Sequence, residues 1–272
     1  MYLTLAAVSA HAQEATPTTA RPVSADEQKY YVKRDGRFTV CSDSRSDAER
    51  GAADLDRLRR WICKRWGLPL NDLSSECRVF LMSTSFVLSK DFRLDSARAE
   101  LRKDENNRDV YAVYASRADY ADGLPFFVTG IVLKDMERTY RTTFGHWAYR
   151  GMGTLDCSYV RIREKMGAVR PRLAKDEPVF FTESLLGLTE EQWEKQSPEL
   201  RALYDGEAAA LCLTLYREFG RARFVEFLGS KCSEKDLERV FGVKSYDVLD
   251  PVFKKRLLRL AGSADNRDFS LP

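Results

Sequence analysis

Thr142-Thr143-Phe144-Gly145-His146 has the spacing of a metal site whose metal chemistry has been replaced. In the pattern H-E-x-x-H, two histidines four residues apart share a helix face and hold zinc. The glutamate beside the first histidine takes a proton from the metal-bound water. Here Thr142 stands at the first histidine, Thr143 at the glutamate and His146 at the second histidine. The chain has two histidines, and the other, His11, lies in a segment expected to be removed. The mature chain therefore cannot build a two-histidine zinc site, and zinc is expected to be lost. Threonine hydroxyls are feeble zinc ligands, and position 143 offers no base. Taken alone, a histidine beside Phe144 and Trp147 reads as a hydrogen-bonded core or groove residue.

The elements that must position this segment follow from pattern and punctuation. Tyr30 to Val32 and Phe38 to Cys41 read as a hairpin closed by an Asp35-Gly36 turn. Ser46 and Glu49 form a capping box opening a helix, whose apolar stripe is Ala48, Ala52, Leu55, Leu58, Ile62 and Trp66. Gly67 and Pro69 stop it. Cys77, Val79 and Leu81 alternate as a core strand. The charged stretch Lys90 to Arg108 reads as exposed and partly helical. Asp109 to Ser116 and Leu124 to Leu133 read as strands joined by an Asp122-Gly123 turn. From Lys134 the period turns helical through Tyr149, which places Thr142 to His146 inside a helix ended by Gly151 and Gly153. A further helix spans Cys157 to Met166. Ser197 caps another with Pro198 at its first position, closed by Gly220, with Ala208, Leu211, Cys212, Leu215 and Phe219 as its buried stripe. Short helices follow over Leu237 to Phe241 and, opened by Asp250-Pro251, over Val252 to Leu260. The expected fold is α+β: an N-terminal mixed sheet with a packed long helix, then a mostly helical C-terminal half.

Composition bounds the function. The 272 residues are 44% hydrophobic and 11% aromatic, enough for one good-sized core. A net charge of +3, without a dense basic block interleaved with aromatics, argues against nucleic-acid binding. No stretch beyond the leader reaches the ~18 apolar residues a membrane span needs. Residues 1–12 read as a secretory signal ending in Ala10-His11-Ala12, an A-x-A-type cleavage site. No basic residue precedes the apolar run, as in a signal truncated upstream; a plain unstructured N-terminus is the alternative. Residues 13–28 form a Pro/Thr/Ala-rich flexible leader, 29–262 a single domain and 263–272 a tail. The protein is thus expected to be exported: periplasmic, secreted or on the cell surface. Six cysteines are compatible with that. No C-x-x-C pair exists, which excludes a zinc ribbon. Cys63 near a helix end and Cys77 opening the next strand make the first expected disulfide, and Cys212 with Cys232 the second.

The order of these elements resembles the peptidase-MA (gluzincin) group of secreted zinc peptidases. In that group a mixed sheet and a long helix accompany H-E-x-x-H, and a downstream W-x-x-E-G-x-A supplies a glutamate as third zinc ligand. The corresponding segment is Pro178-Val179-Phe180-Phe181-Thr182-Glu183-Ser184-Leu185-Leu186. Glu183 stands at the ligand, with Ser184 and Leu186 in place of glycine and alanine. The stretch from Tyr204 to Gly220, then Phe224 to Leu228, is similar in style to the helices after the third ligand. The resemblance covers about residues 36 to 260 and implies a zincin-like fold whose site positions Thr142, Thr143, His146 and Glu183 are vestigial. Glu183 alone also reads as a first-turn carboxylate capped by Thr182.

The resemblance implies an exported pseudopeptidase without catalytic residues or cofactor. It would bind an unknown peptide or protein along a groove by the expected edge strand at Leu124 to Leu133. Two alternatives stand beside it. One is a hydrolase using Cys157 as a thiol activated by His146, with Glu183 supporting. The other is an exported structural domain whose likeness to peptidases is accidental.

Overall fold

Residues 31–82, 100–104, 106–116, 120–174, 182–263, 265–269 and 271 are described by a computed structural model. The expected signal and leader lie outside them, as do residues 178–181 of the segment aligned to the third-ligand motif. Strands β1 (Tyr31–Asp35) and β2 (Phe38–Ser42) pair antiparallel, with Asp35 opposite Phe38. The two turn residues are therefore Gly36 and Arg37, one step later than the expected Asp-Gly turn. Gly36 takes φ +56°, a conformation that costs glycine nothing. Strands β3 (Glu76–Met82), β4 (Glu100–Lys103) and β5 (Asp109–Ser116) complete a sheet of order β1-β2-β3-β5-β4. The three central strands are parallel and both edges antiparallel. β4 falls in the stretch expected to be partly helical.

Helix α1 (Arg45–Trp66) makes the crossover between β2 and β3. Its N-cap is Ser44, whose hydroxyl accepts from Asp47 N, so the Ser46–Glu49 capping box is not formed. The stripe Ala48, Ala52, Leu55, Ile62 and Trp66 is buried, with Leu58 packed at its margin. Gly67 ends the helix in the left-handed conformation. On β3, Cys77, Val79 and Leu81 face the core as their alternation requires.

The largest departure comes next. Leu124 to Leu133 is no strand, and Asp122-Gly123 no turn: both lie within helix α2 (Tyr120–Tyr140). An apolar run buried almost all round shows neither period, and its β-branched residues argued misleadingly for a strand. Leu124, Phe127, Val128 and Ile131 are buried at helical spacing. The C-terminal part is helical throughout: α3 (His146–Asp156), α4 (Tyr159–Ala174), α5 (Thr182–Gly187), α6 (Glu190–Glu194), α7 (Pro198–Phe219), α8 (Arg221–Leu228), α9 (Glu234–Phe241) and α10 (Tyr246–Gly262). Gly151 and Gly153 sit inside α3 rather than ending it. α10 begins six residues before the expected Val252, with Pro251 inside it. Ser197 caps α7 with Pro198 at its first position, and Gly220 closes it.

A single contiguous apolar cluster joins the sheet, α1 and the helices. Phe269, in the segment expected to be a tail, is buried and packs 5.8 Å from the Tyr159 ring. No helix among the described residues is long and apolar enough to cross a membrane. All six cysteines are free thiols, so the expected Cys63–Cys77 and Cys212–Cys232 bonds are not formed. Cys63 faces a small cavity beside Leu73, Val132, Asp135 and Met136, whereas Cys77 is held on β3 between Phe38 and Tyr111. Cys212 lies buried where α7 crosses Gly151, and the Cys232 thiol turns to the Phe227 carbonyl.

Candidate functional site

The structure does not set Thr142, Thr143 and His146 on one helix. Thr142 N–H reaches back to the Glu137 carbonyl at 3.1 Å, with Arg141 in the left-handed conformation at φ +51°. That is a Schellman stop, and the Glu137 carboxylate reinforces it by accepting Phe144 N–H at 2.7 Å. Thr142 to Gly145 form a linker, and His146 opens α3. Four-residue spacing therefore does not align Thr142 with His146. The half-buried His146 ring stacks on Tyr204, centroids 5.9 Å apart, and tilts against Trp193 at 5.4 Å.

Glu183 is the second residue of α5 and exposed, whereas Leu185, two residues on and hence across the helix, is buried. The Leu185 carbonyl accepts the Tyr204 hydroxyl at 2.9 Å, fixing which face of α5 turns inward. Asp250 of α10 accepts Thr182 N–H at 2.9 Å, which anchors the start of α5 with Glu183 outward. Cys157 is the C-cap of α3, at the far end from His146. Eleven helical residues span roughly 16 Å at about 1.5 Å each, too far for a thiol–imidazole pair. Burial, more than the neighbouring Asp156 charge, pushes the Cys157 thiol up to about 12, the opposite of an activated nucleophile.

The helices converge instead on Arg150. Its guanidinium grips Asp205 of α7 with two bonds, 2.7 Å from Nε and 2.6 Å from Nη2. Both residues are buried, and Lys165 of α4 adds a contact to Asp205 at 3.3 Å. The guanidinium also lies 4.0 Å from the Trp193 ring centre of α6 and 4.7 Å from that of Phe126 of α2. A second arginine, Arg201 of α7, approaches Trp193 at 5.2 Å. Five helices thus meet around two guanidinium groups and one indole. None of this was singled out in the sequence, where Arg150 is one of 44 basic residues. Its position held a usable signal: it lies one residue before Gly151 and three after Trp147, on the face of α3 that packs into the core. A charge on such a face demands a buried partner.

A second polar cluster lies at the other end of α3. Asp156 accepts Trp66 Nε1 at 2.8 Å and the Thr129 hydroxyl at 2.7 Å, and meets Arg65 Nε at 3.1 Å. Complete burial pushes its carboxyl up to about 6, although Arg65, Thr129 and Trp66 pull it down. These contacts tie α1, α2 and α3 together.

Among the described residues no group of three His, Cys, Asp or Glu side chains could hold a metal ion. The Arg150 cluster is rich in N–H donors, which suit charge-assisted hydrogen bonds. No protein-family model matches the chain, and no curated protein matches it.

Proposed function

We propose that the chain is an exported, non-catalytic relative of the gluzincins that binds a peptide or protein instead of cutting it. Its ancestral motifs then lie earlier in the chain than the Thr142–His146 and Glu183 alignment put them. The α3 sequence Trp147-Ala148-Tyr149-Arg150-Gly151-Met152-Gly153 follows W-x-x-E-G-x-A in order, with arginine for the ligand glutamate and glycine for alanine. The long helix before it, α2, packs across it and takes the place of the H-E-x-x-H helix. Phe126 and Gly130 are four residues apart on α2. The Phe126 ring sits against Arg150, and a side chain at Gly130 would meet open space.

The observation that carries this reading is Arg150 itself. Where a zinc peptidase has a carboxylate facing the metal, this chain would have a guanidinium locked to the buried Asp205. A fixed cation there repels a divalent ion and links the helices that a metal would otherwise join. The donor-rich cluster around Arg150 and Arg201 supports a binding role, and the apolar N-terminus with Ala10-His11-Ala12 supports export.

The test rebuilds the lost site. The triple variant F126H/G130H/R150E is expected to take up one equivalent of zinc by metal analysis, while the parent holds none. Far-UV circular dichroism checks that the variant is folded. A folded variant that takes up no zinc, or a parent that carries stoichiometric zinc, overturns the proposal.

A further inference from the structure

Arg201 is a buried cation without a counter-ion among the described residues. It keeps 8% of its surface exposed, and its Nε is buried with no hydrogen-bond partner. No carboxylate among the described residues forms an ion pair with it. The Asp205 carboxylate of the cluster is occupied by Arg150 and Lys165. Beside Arg201, Trp193 is 3% exposed, and its indole Nε1 is likewise buried with no acceptor. The Arg201 guanidinium carbon lies 5.2 Å from the Trp193 ring centre, so the two buried donors belong to neighbouring side chains. Leaving both unpaired in a folded interior is costly, and a ligand that accepts from both removes the cost.

We propose that Arg201 and Trp193 form a site for a peptide carboxylate, a chain end or an acidic side chain, between α6 and α7. The planar guanidinium matches the two oxygens of a carboxylate, and its single uncompensated charge matches a monoanion better than a phosphate dianion. Arg150, on the other side of the cluster, is turned to Asp205 through its Nε and Nη2. The open fraction of Arg201 is the way in for a chain end. The peptide part of this assignment rests on the reading of the cluster as a former peptidase groove; the anion part stands on the two unpaired donors.

The full chain, labelled with nitrogen-15, is titrated with acetyl-trialanine bearing a free carboxylate, with the same peptide amidated, and with sodium phosphate, all at constant ionic strength. The readout is the Trp193 indole N–H resonance, assigned through W193F. The free-carboxylate peptide is expected to shift it saturably, with the amide at least about tenfold weaker and R201M about tenfold weaker or worse. The resonances of Trp61, Trp66 and Trp147 report whether R201M is folded. If it is not, calorimetry on W193F, which keeps Arg201, is expected to show severalfold weaker binding of the free-carboxylate peptide. Equal response to acid and amide, unchanged binding by folded R201M, or unchanged binding by W193F overturns the site. Tighter binding of phosphate overturns the peptide assignment. Failure here with zinc uptake by F126H/G130H/R150E removes this site alone; the converse leaves an anion site on an unrelated scaffold.

Discussion

Asp156 shows how a single residue sets the acid–base behaviour of the fold. The unfolded chain ionises it near the ordinary aspartate value of 3.8, the folded chain at about 6. Between those values the fold holds a proton that the unfolded chain has released. The stability from this group is therefore fully present below 3.8 and lost as the pH rises through about 6. Asp156→Asn removes the titration, and its amide can still accept from Trp66 and Thr129. The unfolding free energy of the variant should gain on that of the parent by on the order of 2 kcal/mol between about pH 4 and about pH 7, measured by urea titration. A difference that stays flat with pH contradicts this. Sequence could not have singled out Asp156 from 41 acidic residues, because its shift comes from burial against α1 and α2, elements distant in the chain.

At the scale of elements, two positions decide where α2 and α3 go. Arg141 adopts the left-handed conformation that glycine takes without penalty, so Arg141→Gly should stabilise the protein by about 1 kcal/mol. Gly151 is the reverse case. A Cβ there would lie 2.4 Å from the Ala208 carbonyl oxygen and 2.5 Å from Cys212 Sγ, at the crossing of α3 and α7. Gly151→Ala should destabilise by about 1–3 kcal/mol through overpacking, again read from chemical unfolding. Equal stability of the two variants would show that neither backbone constraint operates. The helices with strong local punctuation were legible: α7 between Ser197-Pro198 and Gly220, and α1 with its stripe and Gly67. α2 was not, because its apolar run carries no period, and the break at Arg141 uses a residue that gives no turn signal. Misplacing that break put Thr142 and His146 on one helix face, which they do not share.

For the whole molecule, the sheet and the helical layer share one core. α1 packs on β1 and β2 and also against α2, and its Trp66 reaches across to Asp156 of α3. The Trp66 ring further contacts Phe224 of α8 at 5.5 Å. Such continuity leaves no plane along which the two layers could separate without exposing apolar surface. Unfolding followed by far-UV circular dichroism and by tryptophan fluorescence should therefore give coincident transitions in denaturant. Separate midpoints would divide the layers into independent units.

The sequence alone determined what depends on neighbours along the chain: the hairpin, the central strands, most helices, the α+β order and the shortage of histidine for a zinc site. These follow from local period, caps and composition. Only the tertiary structure decided what depends on residues far apart in sequence. It turned Glu183 outward, set Cys157 at the opposite end of α3 from His146, and left all six thiols free. It also locked Arg150 to Asp205, fifty-five residues away, and buried Arg201 beside Trp193 with no counter-ion among the described residues. A side chain's burial and partners are set by which helices cross it, and spacing along one strand of sequence carries no record of that crossing.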